Sequence, residues 1–144
     1  MDFSAGSSSD PKENLAVESS TVLVVDDDAE IVDLLQTALA GAGYNVLAGI
    51  GSEALRIADD VHPDLILMDL MMPDMDGVEM STRLRANPGT ADIPIIAMSA
   101  HDFPPAAWSR TLVNDKLPKP FRLRDLYAMV KHWCGDTAGR QAAP

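Results

Sequence analysis

The 144-residue chain carries 11 basic against 22 acidic residues, a formal charge of −11 that repels phosphate backbones and anionic lipid surfaces alike and excludes direct nucleic-acid or membrane partners. Its length suits one domain with a sizeable core, its single cysteine, Cys134, rules out an internal disulfide and fits a reducing cytosol, and no apolar run reaches membrane-spanning length. Residues 1–20 are Ser-rich and acidic, with neither the basic start nor the apolar core of a signal peptide, and are expected to be a disordered tail. From Thr21 onward apolar runs alternate with amphipathic stretches. "TVLVVD" (21–26) is the first candidate strand. After it Ile31, Leu34, Leu35, Ala38 and Leu39 recur at helical spacing, Asp27 with Glu30 has the form of a capping box, and Gly41 and Gly43 end the pattern. "YNVLA" (44–48) is the second strand and "DLILMD" (64–69) the third, followed by a helix that Asp76 and Glu79 would cap. "IPIIAMS" (93–99) is the fourth strand and "DKLPK" (115–119) a weaker fifth. Between these two, Pro104 and Pro105 confine any helix to a short segment after them. A last helical stripe runs through Leu126, Tyr127, Val130 and Trp133. Strand and helix in alternation predict an α/β domain, a doubly wound parallel sheet of five strands with helices on both faces.

The chemistry collects at the strand ends. Asp69 closes a run that reads as a strand buried on both faces, where a carboxylate is costly unless it sits at the carboxyl end, in the crevice where open α/β sheets bind ligands. The first strand also ends in acids, Asp26, Asp27 and Asp28. In the flavodoxin-like order 2-1-3-4-5 the first and third strands are neighbours, so Asp26, Asp27 and Asp69 converge. Carboxylates so close repel unless a cation joins them, and hard oxygen ligands imply Mg²⁺. The fourth strand brings a hydroxyl, Ser99, and the fifth an ammonium, Lys119. Together these make a small anion site above a metal, of a size for a phosphoryl group. Taken singly, each has a plainer reading: the aspartates as helix caps, the lysine as a solvated charge. His62, His101 and His132 share no metal-ligand spacing and read as surface or structural, with His101 a candidate modulator because it lies two residues past Ser99.

The motifs "VLVVDDD", "DLILMDLMMPDMDG", "IIAMSA" and "LPKPF", each ending its strand and in this order, resemble the receiver domain of two-component response regulators over residues 21–134. The resemblance implies that Asp69 is the phosphoacceptor. Asp27 and Asp69 would ligate Mg²⁺ directly with the backbone carbonyl of Met71, and Asp26 would act through water. Lys119 would neutralise the transferring oxygens, Ser99 would bond the attached phosphoryl group, and the peptide bond before Pro120 would be cis. It implies a cytoplasmic protein that is no enzyme toward other substrates and promotes only its own phosphorylation and dephosphorylation. The donor would be a sensor histidine kinase or a histidine phosphotransfer protein; the output, a downstream protein target or a homodimer. The ten residues after Cys134 are too few for an output domain, so a stand-alone receiver with a short tail at 135–144 is expected.

The pattern departs from the family in one region. Where the family has an aromatic residue three positions before the lysine, this chain has Lys116, so that side chain is a second candidate modulator. Two other classes compete. "GIGSEA" (49–54) matches the dinucleotide fingerprint G-x-G-x-x-A, with Asp69 twenty positions on, and would suit an oxidoreductase fragment. It falls on the second strand, at the sheet edge, and leaves Asp26, Asp27 and Lys119 unused. A haloacid-dehalogenase-like phosphatase also has a nucleophilic Asp and Mg²⁺, yet needs a second Asp at the position held by Met71.

Overall fold

Residues two apart along the inner strands fall into one and the same packing layer, and their immediate neighbours into the other. Val22, Val24, Leu65, Leu67, Ile96 and Met98 pack in one cluster; Leu23, Val25, Ile66, Met68, Ile95 and Ala97 pack in a second. Such strands must be apolar on both faces, which is why their sequence reads as continuous hydrophobic runs. The structure, a computed structural model, describes residues 19–72, 75–100 and 105–134; the expected tails at 1–20 and 135–144 lie, apart from Ser19 and Ser20, outside the described residues, as does His101. Along the described chain run β1 (Thr21–Val25), α1 (Ala29–Gly41), β2 (Asn45–Gly49), α2 (Gly51–Val61), β3 (Leu65–Asp69), α3 (Gly77–Ala86), β4 (Ile95–Ala100), α4 (Pro105–Trp108), β5 (Asp115–Lys119) and α5 (Leu123–Cys134). All pairings are parallel and the sheet order is β2-β1-β3-β4-β5, as the alternation of elements and the converging acids led us to expect.

The first cluster is closed by Leu35 and Leu39 of α1 with Leu126 and Val130 of α5, the second by Ala54 and Ala58 of α2 with Met80 and Leu84 of α3. Each large side chain fully buried in this way contributes about 1.5–3 kcal/mol. Leu34, expected in the apolar stripe of α1, is 42% exposed; the buried arc of the helix is the narrower one through Leu35, Ala38 and Leu39.

The helix starts explain where the acids go. α1 is capped by Asp28, not by Asp27: its carboxylate accepts from the Glu30 N–H at 3.0 Å. The reason lies one residue earlier, where Asp26 accepts the Asp28 N–H at 2.9 Å, turns the chain and leaves Asp27 exposed above the strand end. Asp76 caps α3 as expected by accepting from the Glu79 N–H, while the Glu79 carboxylate pairs with Arg83 at 2.7 Å. Gly77 opens that helix hard against Leu70: its N–H donates to the Leu70 carbonyl at 3.0 Å, and a Cβ there would collide with the Leu70 side chain. α4 is four residues long, short as expected, but it begins on Pro105 itself and not after it; Pro104 lies outside the described residues. The Lys119–Pro120 peptide bond is cis.

Candidate functional site

Asp69 is the last residue of β3, and burial is what makes it unusual. It is only 8% exposed, and removal from water pushes its carboxyl above the ordinary carboxylate range. The Met71 N–H, which donates to its Oδ1 at 3.1 Å, and Lys119 oppose that rise; the charges of Asp26 and Asp27 add to it. Asp26, 4% exposed, spends one carboxylate oxygen on the Asp28 N–H and the other on Lys119 Nζ at 3.0 Å. The same ammonium lies 3.7 Å from Asp69 Oδ2. Lys119 is thus nearer Asp26 than the expected acceptor, because the Asp26 side chain, with no exposed area, has no water to compete for its charge.

One carboxylate oxygen from each of Asp26, Asp27 and Asp69 lies within 4.8 Å of the others. Three carboxylates and one ammonium leave two negative charges uncompensated, and the three oxygens are hard donors. The set fits a small divalent cation, with Met71 next to it in the loop after β3. Ser99 is 3% exposed on β4, one residue beyond Met98, which pairs in register with Asp69; Ala100 pairs with Lys119. The structure therefore brings Asp26, Asp27, Asp69 and Lys119 together and places Ser99 on the adjacent strand at the same level.

Other candidates fall elsewhere. Lys116 is exposed on β5, with its Nζ 4.6 Å from the centroid of the Trp108 ring, a contact that nothing in the sequence pattern paired. His62 donates from Nδ1 to the Gly89 carbonyl at 2.9 Å and closes a loop. His132 packs edge-on against Trp133. The fingerprint glycines have local explanations: a Cβ on Gly49 would press on Ile57 at 3.0 Å, and Gly51 has a φ of +55°. Gly49 ends the edge strand and Gly51 opens α2 behind it, so β1 separates that strand from Asp69. Met71, two residues after Asp69, is apolar and 56% exposed, so the second acid of a dehalogenase-like phosphatase has no counterpart there.

Known proteins share this arrangement of strands and sequence. Residues 22–131 match the family model of the response regulator receiver domain. The chain is 41% identical over 118 residues to the transcriptional regulatory protein PrrA of Mycobacterium leprae, covering 80% of this chain and 50% of that one. It is 40% identical over 113 residues to the alkaline phosphatase synthesis transcriptional regulatory protein PhoP of Bacillus subtilis, covering 76% and 46%. It spans about half the length of these curated relatives. Among solved structures, a response regulator from Chloroflexus aurantiacus superposes with a TM-score of 0.73 at 33% identity over 81% of this chain and 98% of that one. The receiver domain of a sensor histidine kinase from Pseudomonas aeruginosa, solved with a magnesium ion coordinated in its active-site cleft, gives 0.75 at 29% identity with the same coverage. In sequence and in fold alike, the chain belongs to the response regulator receiver domains of two-component systems.

Proposed function

We propose that the unit from Thr21 to Cys134 is a phosphoacceptor switch in which Asp69 receives a phosphoryl group from a phosphohistidine of a sensor histidine kinase or a histidine phosphotransfer protein. A carboxylate oxygen of Asp69 attacks phosphorus, an O–P bond forms as the P–N bond breaks, and the electron pair returns to the donor imidazole. Aspartate is a weak nucleophile toward an anionic centre, so positioning and charge neutralisation carry the reaction. The Met71 N–H fixes the Asp69 carboxylate at Oδ1 and leaves Oδ2 toward Lys119. Lys119 shifts from Asp26 to the transferring oxygens, and Ser99 supplies a hydroxyl to the phosphoryl group once attached. Asp27, Asp69 and the Met71 carbonyl would hold Mg²⁺, with Asp26 assisting through water, and the cation would supply positive charge toward the phosphoryl oxygens. The acyl phosphate then changes what the surface binds, a downstream protein or a second copy. It does so in the cytoplasm, where the lone Cys134, buried in α5, stays reduced.

The observation that carries this reading is the meeting of three carboxylate oxygens within 4.8 Å beside an ammonium that bridges two of the acids. Intact-mass measurement after incubation with acetyl phosphate and Mg²⁺ tests it. The wild type gains one phosphoryl group and Asp69→Asn gains none; full labelling of the variant moves the acceptor elsewhere.

A further inference from the structure

The first residue of α3, Gly77, is buried against the residue that follows Asp69. Its N–H donates to the Leu70 carbonyl at 3.0 Å, and a Cβ there would fall on Leu70 Cδ2 and only 3.0 Å from the Leu70 Cα. Backbone conformation does not ask for glycine at this position: Gly43 and Gly51 have positive φ, and Gly77 does not. Helix propensity asks for something else, since alanine is the better residue in a helix. What the position requires is the missing methyl.

Neither side of the contact has room to yield. α3 is held by the buried Met80 and Leu84 and by the clasp of Arg85, whose guanidinium donates to the Ala91, Ile93 and Leu112 carbonyls at 2.9, 2.6 and 3.1 Å. The same guanidinium donates to Asn114 Oδ1 at 2.7 Å, which also takes the Ile95 N–H at 2.8 Å. Leu70 has no exposed area into which its side chain could turn. Its N–H donates to the Met98 carbonyl at 3.2 Å, and Asp69 before it is in register with Met98, so the chain is fixed on that side as well. A displaced Leu70 therefore moves the residue after it. That residue is the exposed Met71, whose N–H orients the Asp69 carboxylate at Oδ1.

We propose that Gly77 is a positioning residue for the cation: by admitting Leu70 to direct contact it sets where the Met71 carbonyl stands, and with it the preference of the acidic cluster for Mg²⁺ over Ca²⁺. This rests on the reading of Asp27, Asp69 and Met71 as the cation's ligands. Mg²⁺ demands near-ideal octahedral geometry at about 2.0–2.1 Å, whereas Ca²⁺ accepts longer and less regular ligand sets. A ligand displaced by a methyl group at Gly77 is thus lost to Mg²⁺ and kept by Ca²⁺. A cradle held at both ends discriminates; a loosened one does not.

Calorimetric titration of the 144-residue chain and its variants with Mg²⁺ and with Ca²⁺ tests this. Gly77→Ala should weaken Mg²⁺ binding by about five- to twenty-fold and Ca²⁺ binding by less than about two-fold. Adding Leu70→Val, which takes away the carbon that the new methyl meets, should recover most of the Mg²⁺ affinity. Coupling is reciprocal, so in the unsubstituted chain the cation must also hold the contact. At Mg²⁺ about ten times its dissociation constant, hydrogen exchange at the Gly77 amide should slow roughly ten-fold. The Glu79 amide, capped by Asp76 in the same turn, should slow less. This measurement stands whether or not Gly77→Ala folds. An unchanged preference for Mg²⁺ over Ca²⁺ in Gly77→Ala, a double variant that binds Mg²⁺ no tighter than the single one, or a Gly77 amide that slows no more than that of Glu79 overturns the role of Gly77 and leaves the ligand set intact. Asp27→Ala with the Mg²⁺ affinity of the unsubstituted chain overturns the ligand set and the role of Gly77 with it.

Discussion

Asp69 is a carboxylate that the fold holds at a cost. Because burial raises its folded value above the usual 3.8, the native state takes up a proton more readily than the unfolded chain. The ionised group is therefore destabilising at neutral pH, and the penalty is relieved as pH falls through the raised folded value, fully so below 3.8. In metal-free buffer at neutral pH, Asp69→Asn should be more stable than wild type by about 0.5–2 kcal/mol in urea denaturation, and the difference should close on acidification. A variant less stable than wild type at neutral pH would mean that the Met71 and Lys119 contacts outweigh burial. Asp27 and Asp26 make a second comparison. Calorimetric titration with Mg²⁺ should show a larger affinity loss for Asp27→Ala than for Asp26→Ala, since a direct ligand loses a coordination bond and a water-mediated one a hydrogen bond. Equal affinities for wild type and Asp27→Ala contradict the site. At this scale the sequence was informative about which residue types meet and silent about how they pair. Three aspartates in a row look alike on paper; only the turn made by Asp26 decides that Asp28 caps the helix and Asp27 stays free.

Among the elements, strands were the legible part. β1, β3 and β4 announce themselves because both faces are buried, and β5 was found with its ends as written although only Leu117 of its five residues is buried. Its Lys119, needed at the acidic cluster, did more to place it than its hydrophobicity. α4 was legible as short from Pro104 and Pro105. Its contact with Lys116 was not, since it closes across a turn and follows neither a helical nor a strand period. α3 carries the structural prediction of this scale. Arg85 satisfies backbone carbonyls in two loops, so Arg85→Met should leave them unpaired and cost about 1–3 kcal/mol, seen as a lower urea midpoint. Hydrogen exchange should rise at Ile95 and Leu112 before it rises in β1. Uniform exchange across the sheet would show that the clasp has no local role.

For the whole molecule, a ligand that binds only the folded state stabilises it by mass action. Mg²⁺ at about a hundred times its dissociation constant should add roughly 2.7 kcal/mol to the unfolding free energy. A chelator should remove that increment, and Asp27→Ala should lose most of it. The same gain in the variant would place the cation elsewhere on this acidic chain. The architecture that makes the cluster possible was readable because alternation of strands and helices leaves few topologies, and the converging acids choose among them.

The sorting of neighbouring strand residues into two packing layers has one more consequence. The sheet is a partition between a compartment floored by α1 and α5 and another floored by α2 and α3, and the acids stand on its rim, where both compartments end. An event on that rim reaches two surfaces that do not touch each other. On the proposed reading of Asp69 as acceptor, a donor seated over one compartment would leave the surface of the other open to a second protein.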